Sequence, residues 1–366
     1  MDLGHDFYLS ILKERRIFVL TIEGSYGEGG GQILRSAVSL SAITGKAIEV
    51  INIRAKRPNP GLRPQHMQAT KAVAELFHAR VENLKVGAEW IRFIPKPDSY
   101  EDSELKIDIG TAGSIPMILQ TIIPAVALSG KSLSVQIIGG TDVKMSPTAD
   151  YLRLVVLKAY KSIGINFSLN ILKRGYYPKG GGIIQAEISP CKNTRSLDFL
   201  NRQNVEPKIA NVCCQLPKNV AERQISSALL TLEKRGVRCG VYSSSFESSL
   251  SPGTSILVYS ESDFGTYIGG DSIGEREKSA EKVGEEAVQN FYESYQTDVP
   301  IDRYLADMLV IPLSLAKGKS RYRIGLVTEH LKTNLYVVSQ IVGCKYHIEP
   351  SEKSYIVNIE GGLQEY

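Results

Sequence analysis

Three glycine-lysine pairs divide the chain into similar segments. The pairs occupy positions 45–46, 130–131 and 318–319. Each pair follows an apolar segment of helical length and precedes a strand-like segment. A second helical pattern follows in every copy, at residues 65–77, 148–162 and 331–342. Because one such unit cannot bury its own apolar face, the pattern predicts three repeated units packed together in one domain of the α/β (α+β) class.

The stretch between the second and third copies has a pattern of its own. Strand-like segments at 209–216, 240–244 and 255–259 and a helical pattern at 221–235 alternate there with turns rich in Ser, Pro and Gly. We therefore predict a small inserted α/β domain at residues 188–274. The repeat domain then comprises residues 1–187 and 275–366. The chain returns to it through an amphipathic helix at 275–295.

The composition excludes a disordered, a collagen-like and a disulfide-scaffold chain. Apolar residues make up 43% of the chain and charged residues 22%, and the net charge is only +4, so charge alone does not indicate a nucleic-acid-binding protein. Five cysteines without metal-type spacing are typical of free thiols in a reducing compartment, which favours a cytoplasmic location. The longest apolar run, residues 115–128, is interrupted by two prolines and too short to cross a bilayer, so we expect no membrane association.

A glycine-rich loop at residues 24–32 lies between a predicted strand and a predicted helix. Glycines at such a junction allow backbone N–H groups to converge on an anion, although a simple tight turn is the alternative. Glu28 lies among these glycines, and because a carboxylate repels phosphate unless a cation intervenes, Glu28 is a candidate Mg²⁺ or Mn²⁺ ligand. Arg35, one turn into the helix, is either a second group that reaches the anion or a solvated arginine.

A second glycine loop, residues 110–114, also opens a helix, and Gln120 lies inside that helix. Gln120 is either a binding residue or a buried amide satisfied by the backbone. Two Gly-Lys-Ser triplets resemble part of a phosphate-binding P-loop, but that motif requires a glycine five residues earlier. Ala125 and Leu313 occupy those positions, which argues against a Walker-type NTPase.

A basic loop at residues 54–66 concentrates four cations and three prolines between a strand and a helix. The prolines restrict the loop, so the guanidinium groups of Arg54 and Arg57 are partly preorganised for phosphate oxygens. Gln65 and His66 close the loop at a helix N-terminus, which also favours anions. A solvated basic surface is the alternative.

His330 differs in its setting from the histidines at positions 5, 78 and 347, which we interpret as structural or solvated. It lies at a strand-to-helix junction that corresponds in the repeat to the basic loop. A neutral imidazole near pH 7 can attack phosphorus and then depart as a good leaving group. His330 is therefore a candidate nucleophile.

Six motifs in order closely resemble the RNA 3′-terminal phosphate cyclase family. They are GEGGGQILRS at 27–36, PGLRPQH at 60–66, GGTD at 139–142, YPKGGG at 177–182, YLADM at 304–308 and EHLKTN at 329–334. The resemblance extends from about residue 21 to near the C-terminus, so residues 1–20 are expected to form an N-terminal extension. It implies the βαβαββ repeat also found in enolpyruvyl transferases, with a small inserted α/β domain.

The resemblance also implies an activity. Family members convert an RNA 3′-terminal phosphate to a 2′,3′-cyclic phosphodiester with ATP and Mg²⁺ or Mn²⁺, releasing AMP and diphosphate. The reaction proceeds through a covalent histidine-AMP intermediate and an RNA-adenylate. The expected partner is thus an RNA that carries a 3′-phosphate.

Several residues match the functional positions of the family. His330 matches the adenylylated nucleophile, and Glu28 matches the metal-binding glutamate. The nucleotide-binding positions match Gln120, Tyr304, Leu305, Ala306, Asp307 and Met308. The positions associated with phosphate binding match Arg35, Arg54, Arg57, Gln65 and His66. Two departures occur, since Met308 replaces a frequent glutamine and the cysteine that precedes the histidine in some members is missing.

Two alternative functions remain at this point. Cyclase-like proteins in ribosome biogenesis resemble the family but lack the nucleophilic histidine, so the presence of His330 argues against a non-catalytic role. An enolpyruvyl transferase shares the repeat, and activity with phosphoenolpyruvate would distinguish it.

Overall fold

The structure, a computed structural model of the chain, describes residues 18–96, 103–263 and 265–361. Most of the predicted N-terminal extension, residues 1–17, lies outside the described residues. The first strand begins within the last residues of that predicted extension.

The chain forms three repeats, the third of which is interrupted by a smaller domain. The first repeat comprises β1 (Val19–Glu23), α1 (Gln32–Thr44), β2 (Ala47–Ile51), α2 (Pro64–Leu76), β3 (Arg80–Glu82) and β4 (Ile91–Ile94). The second begins with β5 (Ser103–Asp108), α3 (Ile115–Leu128) and β6 (Leu133–Gly139). Helix α4 follows in three consecutive parts, Ala149–Tyr151, the π-helical Leu152–Val156 and Leu157–Ser162, before β7 (Phe167–Lys173) and β8 (Gly182–Ile188).

Strand β9 (Asp198–Phe199) opens the third repeat. The smaller domain then comprises β10 (Lys208–Cys214), α5 (Lys218–Glu233), β11 (Val241–Phe246), β12 (Gly253–Ser262), β13 (Thr266–Ile273) and α6 (Ala280–Tyr295). The third repeat resumes with α7 (Arg303–Met308), α8 (Val310–Ser314), β14 (Gly318–Ile324), α9 (Glu329–Ile341), β15 (Lys345–Ser351) and β16 (Ser354–Gly361).

The sheets of the three repeats share one topology. Their strand orders are β1-β2-β4-β3, β5-β6-β8-β7 and β9-β14-β16-β15. In each sheet the first two strands are parallel and the remaining pairs are antiparallel. The predicted α/β (α+β) class is confirmed, and the shared order has the βαβαββ form in all three units. The third unit starts earlier than the sequence pattern indicated, because a strand of two residues carries no readable periodicity.

Gly45 and Gly130 lie between a helix and the next strand, and Gly318 is the first residue of β14. Gly45, Gly130 and Gly318 have φ angles of 71°, 71° and 94°. Residues with a Cβ atom rarely adopt this left-handed region, which explains why the same residue type recurs where each helix must end and turn into a strand.

One apolar core joins the three repeats. Helix α1 packs against α3 and α9, and α2 packs against α3. Leu34, Leu119 and Leu335, one from each repeat, are fully buried in this core. Each buried leucine stabilises the fold by roughly 1.5–3 kcal/mol, so the shared core favours packing of the three units together. Within the described residues, no helix is long and apolar enough to cross a membrane.

The smaller domain has its own core beneath two helices. Its sheet has the order β11-β10-β12-β13, and α5 and α6 pack against each other on it. Ile225 of α5, Val258 of β12 and Phe291 of α6 are buried together. Helix α6 therefore belongs to the core of the smaller domain, whereas the sequence pattern assigned residues from 275 onward to the repeat domain. Strand β13 was not predicted, because its central Gly-Gly pair interrupts the apolar pattern.

A glycine in β13 allows α6 to approach the sheet backbone to backbone. A Cβ atom at Gly270 would lie 2.1 Å from the backbone nitrogen of Phe291 and 2.6 Å from the backbone oxygen of Ala287. We predict that Gly270→Ala pushes α6 off the sheet and lowers the free energy of unfolding by roughly 1–3 kcal/mol. Chemical denaturation would measure the change. Ser243→Ala, on the exposed edge strand of the same sheet, is the matched control, and equal stability of both variants would contradict this packing.

Candidate active site

A cavity of about 600 Å³ lies where the three repeats and the smaller domain meet. Its walls include Glu28, Arg35, Gln120, Asp271, Asn290, Tyr304, Asp307 and His330. These residues come from every repeat and from the smaller domain, so no single unit could form the site. The packing of the units therefore also assembles the polar groups.

His330 is the second residue of α9, and its backbone is fixed from two sides. Thr328 caps the helix, since its Oγ1 accepts a hydrogen bond from the Leu331 backbone N–H at 3.0 Å. From α1, Gln32 Nε2 donates to the backbone oxygen of His330 at 3.0 Å. The glycine loop therefore leads directly into a residue that positions the candidate nucleophile.

The imidazole of His330 lies between two carboxylates. Its Nδ1 is 3.5 Å from Asp307 Oδ2, and its Nε2 is 3.5 Å from Glu28 Oε2. The His330 side chain is 48% exposed, whereas that of Asp307 is 14% exposed. Asp307 is the more buried of the two carboxylates, and it favours the tautomer with the proton on Nδ1, which leaves the lone pair of the neutral ring on Nε2, on the side of Glu28.

The same carboxylates shift the proton affinity of the ring. Interaction with Asp307 is the main cause that raises the pKa of His330, and the charge of Glu28 adds to it against the opposing effects of burial and Arg35. Burial in turn raises the pKa of Asp307, although His330 and Arg35 partly offset this. The pair therefore holds a positive charge on the imidazole to higher pH than an isolated histidine would.

Asp307 is itself positioned by side chains of the first and third repeats. Asn334 Nδ2 donates to the backbone oxygen of Asp307 at 2.9 Å, and Ser36 Oγ donates to Asn334 Oδ1 at 2.6 Å. Both Ser36 and Asn334 are buried. The sequence motifs contain Ser36 and Asn334, but nothing in their spacing indicated that the two side chains would form a hydrogen bond.

Asp302 is a further residue that the sequence analysis did not identify. It caps α7, accepting from the backbone N–H groups of Tyr304 at 2.8 Å and Leu305 at 2.9 Å. The Tyr151 hydroxyl donates to the same carboxylate at 2.8 Å. Burial raises the pKa of Asp302 to about 6. This cap orients the short helix that carries Asp307.

Arg35 points into the cavity from α1. Within the described residues, its guanidinium forms no ion pair and donates no hydrogen bond to the protein. Burial lowers the pKa of Arg35 to about 10, and the charge of Asp307 opposes this shift. Burying a cation without an opposite charge beside it costs free energy, so the cavity is suited to binding an anion.

Gln120 also lines the cavity, from α3 of the second repeat. Its amide nitrogen is buried and has no hydrogen-bond partner among the described residues. Since a buried unsatisfied donor costs about 1–3 kcal/mol, Gln120 favours a ligand with an acceptor atom in the cavity. The alternative, in which backbone groups satisfy the Gln120 amide, does not hold for its nitrogen.

The YLADM segment divides between the cavity and the core. Tyr304, Asp307 and Met308 line the cavity. Leu305 and Ala306 are fully buried in the apolar core, so their side chains do not line the cavity as predicted nucleotide-binding residues would. They point away from it because α7 is amphipathic. Arg303 lies over the Tyr304 ring at 4.7 Å and donates to its hydroxyl at 2.7 Å, which fixes the ring.

The basic loop lies beside the cavity and not in its lining. Arg57 Nη2 forms an ion pair with Glu28 Oε2 at 2.7 Å, so this arginine adjoins the site through Glu28. Arg54 Nη1 donates to the backbone oxygens of Asn59 at 2.6 Å and Gly61 at 3.1 Å. In this structure Arg54 therefore braces the loop.

His66 and Gln65 connect the basic loop to the two glycine loops. A Cβ atom at Gly31 would lie 2.2 Å from His66 Nε2, so the glycine allows the imidazole to pack against the start of α1. Burial is the main cause that lowers the pKa of His66 to about 3, with Arg35 and two loop arginines adding to it. Gln65 Oε1 accepts from the Ser114 backbone N–H at 3.4 Å. His66 is thus neutral, and both residues lie at the junction of the loops.

Glu28 is one of the carboxylates that line the cavity. No group of three or more His, Cys, Asp or Glu side chains in the described residues is arranged to hold a metal ion. Mg²⁺ is commonly bound by one or two carboxylates together with substrate phosphates and water. Glu28, at the cavity wall and 3.5 Å from His330, fits that donor set.

The site thus combines an imidazole next to a buried carboxylate with a cation suited to an anion. Residues 26–348 match the model of the family described as RNA 3′-terminal phosphate cyclase. The chain belongs to this family.

Curated relatives agree with the family match over nearly the whole chain. The RNA 3′-terminal phosphate cyclase of Pyrobaculum neutrophilum is 40% identical over 342 residues, covering 93% of this chain and 98% of its own. The protein of the same name from Pyrococcus abyssi is 42% identical over 333 residues, 90% of this chain and 95% of its own. That from Archaeoglobus fulgidus is 39% identical, with 89% and 96% covered.

We predict that the pKa of His330 lies above the ordinary value of about 6.5 and falls in Asp307→Asn, because that variant removes the charge that stabilises the imidazolium. NMR titration of the His330 ring would measure both values. Glu329→Gln removes a carboxylate that pairs with Lys332 at 2.7 Å and is the matched control. A His330 pKa that is the same in Asp307→Asn and in the unaltered protein would contradict the pairing.

Proposed function

We propose that the chain is an ATP-dependent RNA 3′-terminal phosphate cyclase that acts through a covalent His330-AMP intermediate. The observation that carries the proposal is the placement of His330, which lines the cavity with Nδ1 3.5 Å from Asp307 and Nε2 3.5 Å from Glu28. The family match and the names of the relatives support the overall reaction. The geometry supports the identity of the nucleophile.

In the first step, the lone pair of His330 Nε2 attacks the α-phosphorus of ATP. A P–N bond forms, the P–O bond to the departing diphosphate breaks, and the imidazole becomes positively charged. Asp307, which raises the pKa of His330, stabilises that charge. The same charge later makes the imidazole a good leaving group.

In the second step, an oxygen of the RNA 3′-phosphate attacks the AMP phosphorus, and His330 leaves as its P–N bond breaks. The neighbouring 2′-OH then attacks the RNA phosphorus, loses its proton and expels AMP, which closes the cyclic phosphodiester. This sequence meets a chemical need, because hydroxide is too poor a leaving group for direct cyclisation. ATP therefore supplies the leaving group.

The cavity provides groups for the nucleotide. Arg35, which has no partner among the described side chains, is suited to the phosphates. Gln120 has a buried amide nitrogen that needs an acceptor, and Tyr304 offers a ring fixed by Arg303. These three side chains, with Asp307 and Met308, would bind ATP.

Glu28 would hold a Mg²⁺ or Mn²⁺ ion that neutralises phosphate charge when it is bound. In the structure this carboxylate pairs with Arg57. Glu28 thus joins the nucleotide cavity to the basic loop. The RNA 3′-phosphate would approach from that side, where Arg54, Arg57, Gln65 and neutral His66 meet.

A non-catalytic role has no supporting observation. A protein that had lost the reaction would have no reason to keep His330, Asp307 and the hydrogen bonds that fix both.

We predict that His330→Ala abolishes the covalent adduct formed when the protein is incubated with α-labelled ATP and Mg²⁺ or Mn²⁺. The adduct should be acid-labile and alkali-stable, as expected of a phosphoramidate. Denaturing electrophoresis of the labelled protein is the measurement. His347→Ala, which removes an exposed histidine of β15, should leave labelling unchanged. An undiminished adduct in His330→Ala would refute the assignment.

We predict that Arg57 and Arg63, two of the three arginines of the basic loop, affect different steps. Arg63 is exposed at the loop end, so Arg63→Ala should slow cyclisation of 3′-phosphorylated RNA roughly tenfold while self-adenylylation stays unchanged. Arg57→Ala should impair both steps because it also removes the partner of Glu28. Separate assays of adduct formation and RNA turnover would test this.

Arg238→Ala, in the smaller domain, is the control for these variants. Unaltered RNA turnover in both Arg57→Ala and Arg63→Ala would mean that the loop is only a solvated surface.

A further inference from the structure

Tyr26 and Tyr336 form a parallel ring stack beside the proposed site. Their ring centroids are 4.0 Å apart and the planes differ by 12°. Tyr26 belongs to the glycine loop, and Tyr336 lies on α9. Tyr26 is 40% exposed. An aromatic surface is thus presented to solvent on the active-site loop, and none of the roles described above uses it.

We propose that the exposed ring of Tyr26, supported by Tyr336, is a stacking platform for a base at the 3′ end of the RNA substrate. The proposal rests on the proposed function, since it names a binding subsite for the same substrate. Every nucleobase has a π-face, so the platform would bind RNA ends with little sequence preference.

The stacked pair is linked to the proposed site at both ends. Tyr26 precedes Glu28 by two residues, and Glu28 Oε2 lies 3.5 Å from His330 Nε2. Tyr336 follows His330 by six residues on α9, which is about 9 Å along the helix axis. The platform is therefore close enough for the end of an RNA whose phosphate is at His330 to reach it.

The loop that carries Tyr26 is seated directly on α9. A Cβ atom at Gly27 would lie 2.9 Å from Thr333 Oγ1 and 3.7 Å from Glu329 Oε2. The φ angle of Gly27 is 57°, which an ordinary residue rarely adopts. The glycine thus lets the loop approach the helix closely enough for the two tyrosine rings to stack. The platform is consequently formed before RNA arrives, which reduces the entropy lost on binding.

Cations of the basic loop flank the same segment. Lys56 Nζ donates to the backbone oxygen of Gly27 at 2.9 Å, and Arg57 pairs with Glu28 at 2.7 Å. Positive groups that follow the backbone, combined with aromatic rings that stack on bases, are the usual chemistry of single-strand binding. The cations of the basic loop and the ring of Tyr26 therefore both favour a single-stranded RNA.

Binding of a short 3′-phosphorylated RNA, measured without ATP, tests the proposal. The RNA carries 2-aminopurine at its 3′-terminal nucleotide, so stacking quenches its fluorescence. Tyr26→Leu should raise Kd roughly five- to 100-fold and abolish the quenching. Tyr26→Phe, which keeps the ring, should restore both. Tyr242→Leu, which removes an exposed tyrosine from edge strand β11, should behave like the unaltered protein.

An RNA lacking the terminal base completes the test. The unaltered protein should bind this abasic RNA as weakly as Tyr26→Leu binds intact RNA, and Tyr26→Leu should lose nothing further. An unchanged Kd in Tyr26→Leu, or an equal loss in Tyr26→Phe, would overturn the platform. Failure of the proposed function is distinguishable, because the unaltered protein would then form no ATP-derived adduct, whereas failure of the platform alone leaves that adduct intact.

Discussion

The contact between α1 and α9 is the interaction on which the rest of the site depends. It brings the first and third repeats together through buried apolar side chains and through three polar ones. Gln32 holds the backbone of His330, while Ser36 and Asn334 fix the backbone of Asp307. Losing one partner would leave a buried polar group unsatisfied at a cost of about 1–3 kcal/mol. The same contacts that stabilise the fold thus hold the nucleophile and its carboxylate in place.

The charged side chains at the site occupy different positions and have different roles. Asp307 and Glu28 lie on opposite nitrogens of His330, and the buried member of the pair dominates the raised pKa of the ring. Arg35 supplies a cation inside the cavity. Arg57 supplies another outside it, paired with Glu28. Glu28 therefore stands between the nucleotide cavity and the basic loop, the two places where phosphate would bind.

Periodicity and glycine placement were sufficient to predict the repeats, the main helices and the two loops that meet at the site. These patterns did not predict elements of only a few residues or contacts between residues that are distant in the sequence. Strand β9 has only two residues, and α6 is defined by its packing on β13. Likewise, Leu305 and Ala306 belong to a matching motif, but the amphipathic α7 turns both into the core. The bond between Ser36 and Asn334 spans 298 positions, and no local pattern encodes such a partnership.

The most direct test of the account is a single-turnover chase of the adduct. Protein labelled with α-labelled ATP is freed of nucleotide, and the modified residue is identified by peptide mass spectrometry before RNA is added. We predict AMP on His330 and its loss on addition of 3′-phosphorylated RNA, with a 2′,3′-cyclic end appearing in the same time course. An adduct on another residue, or one on His330 that survives the RNA chase, would contradict it.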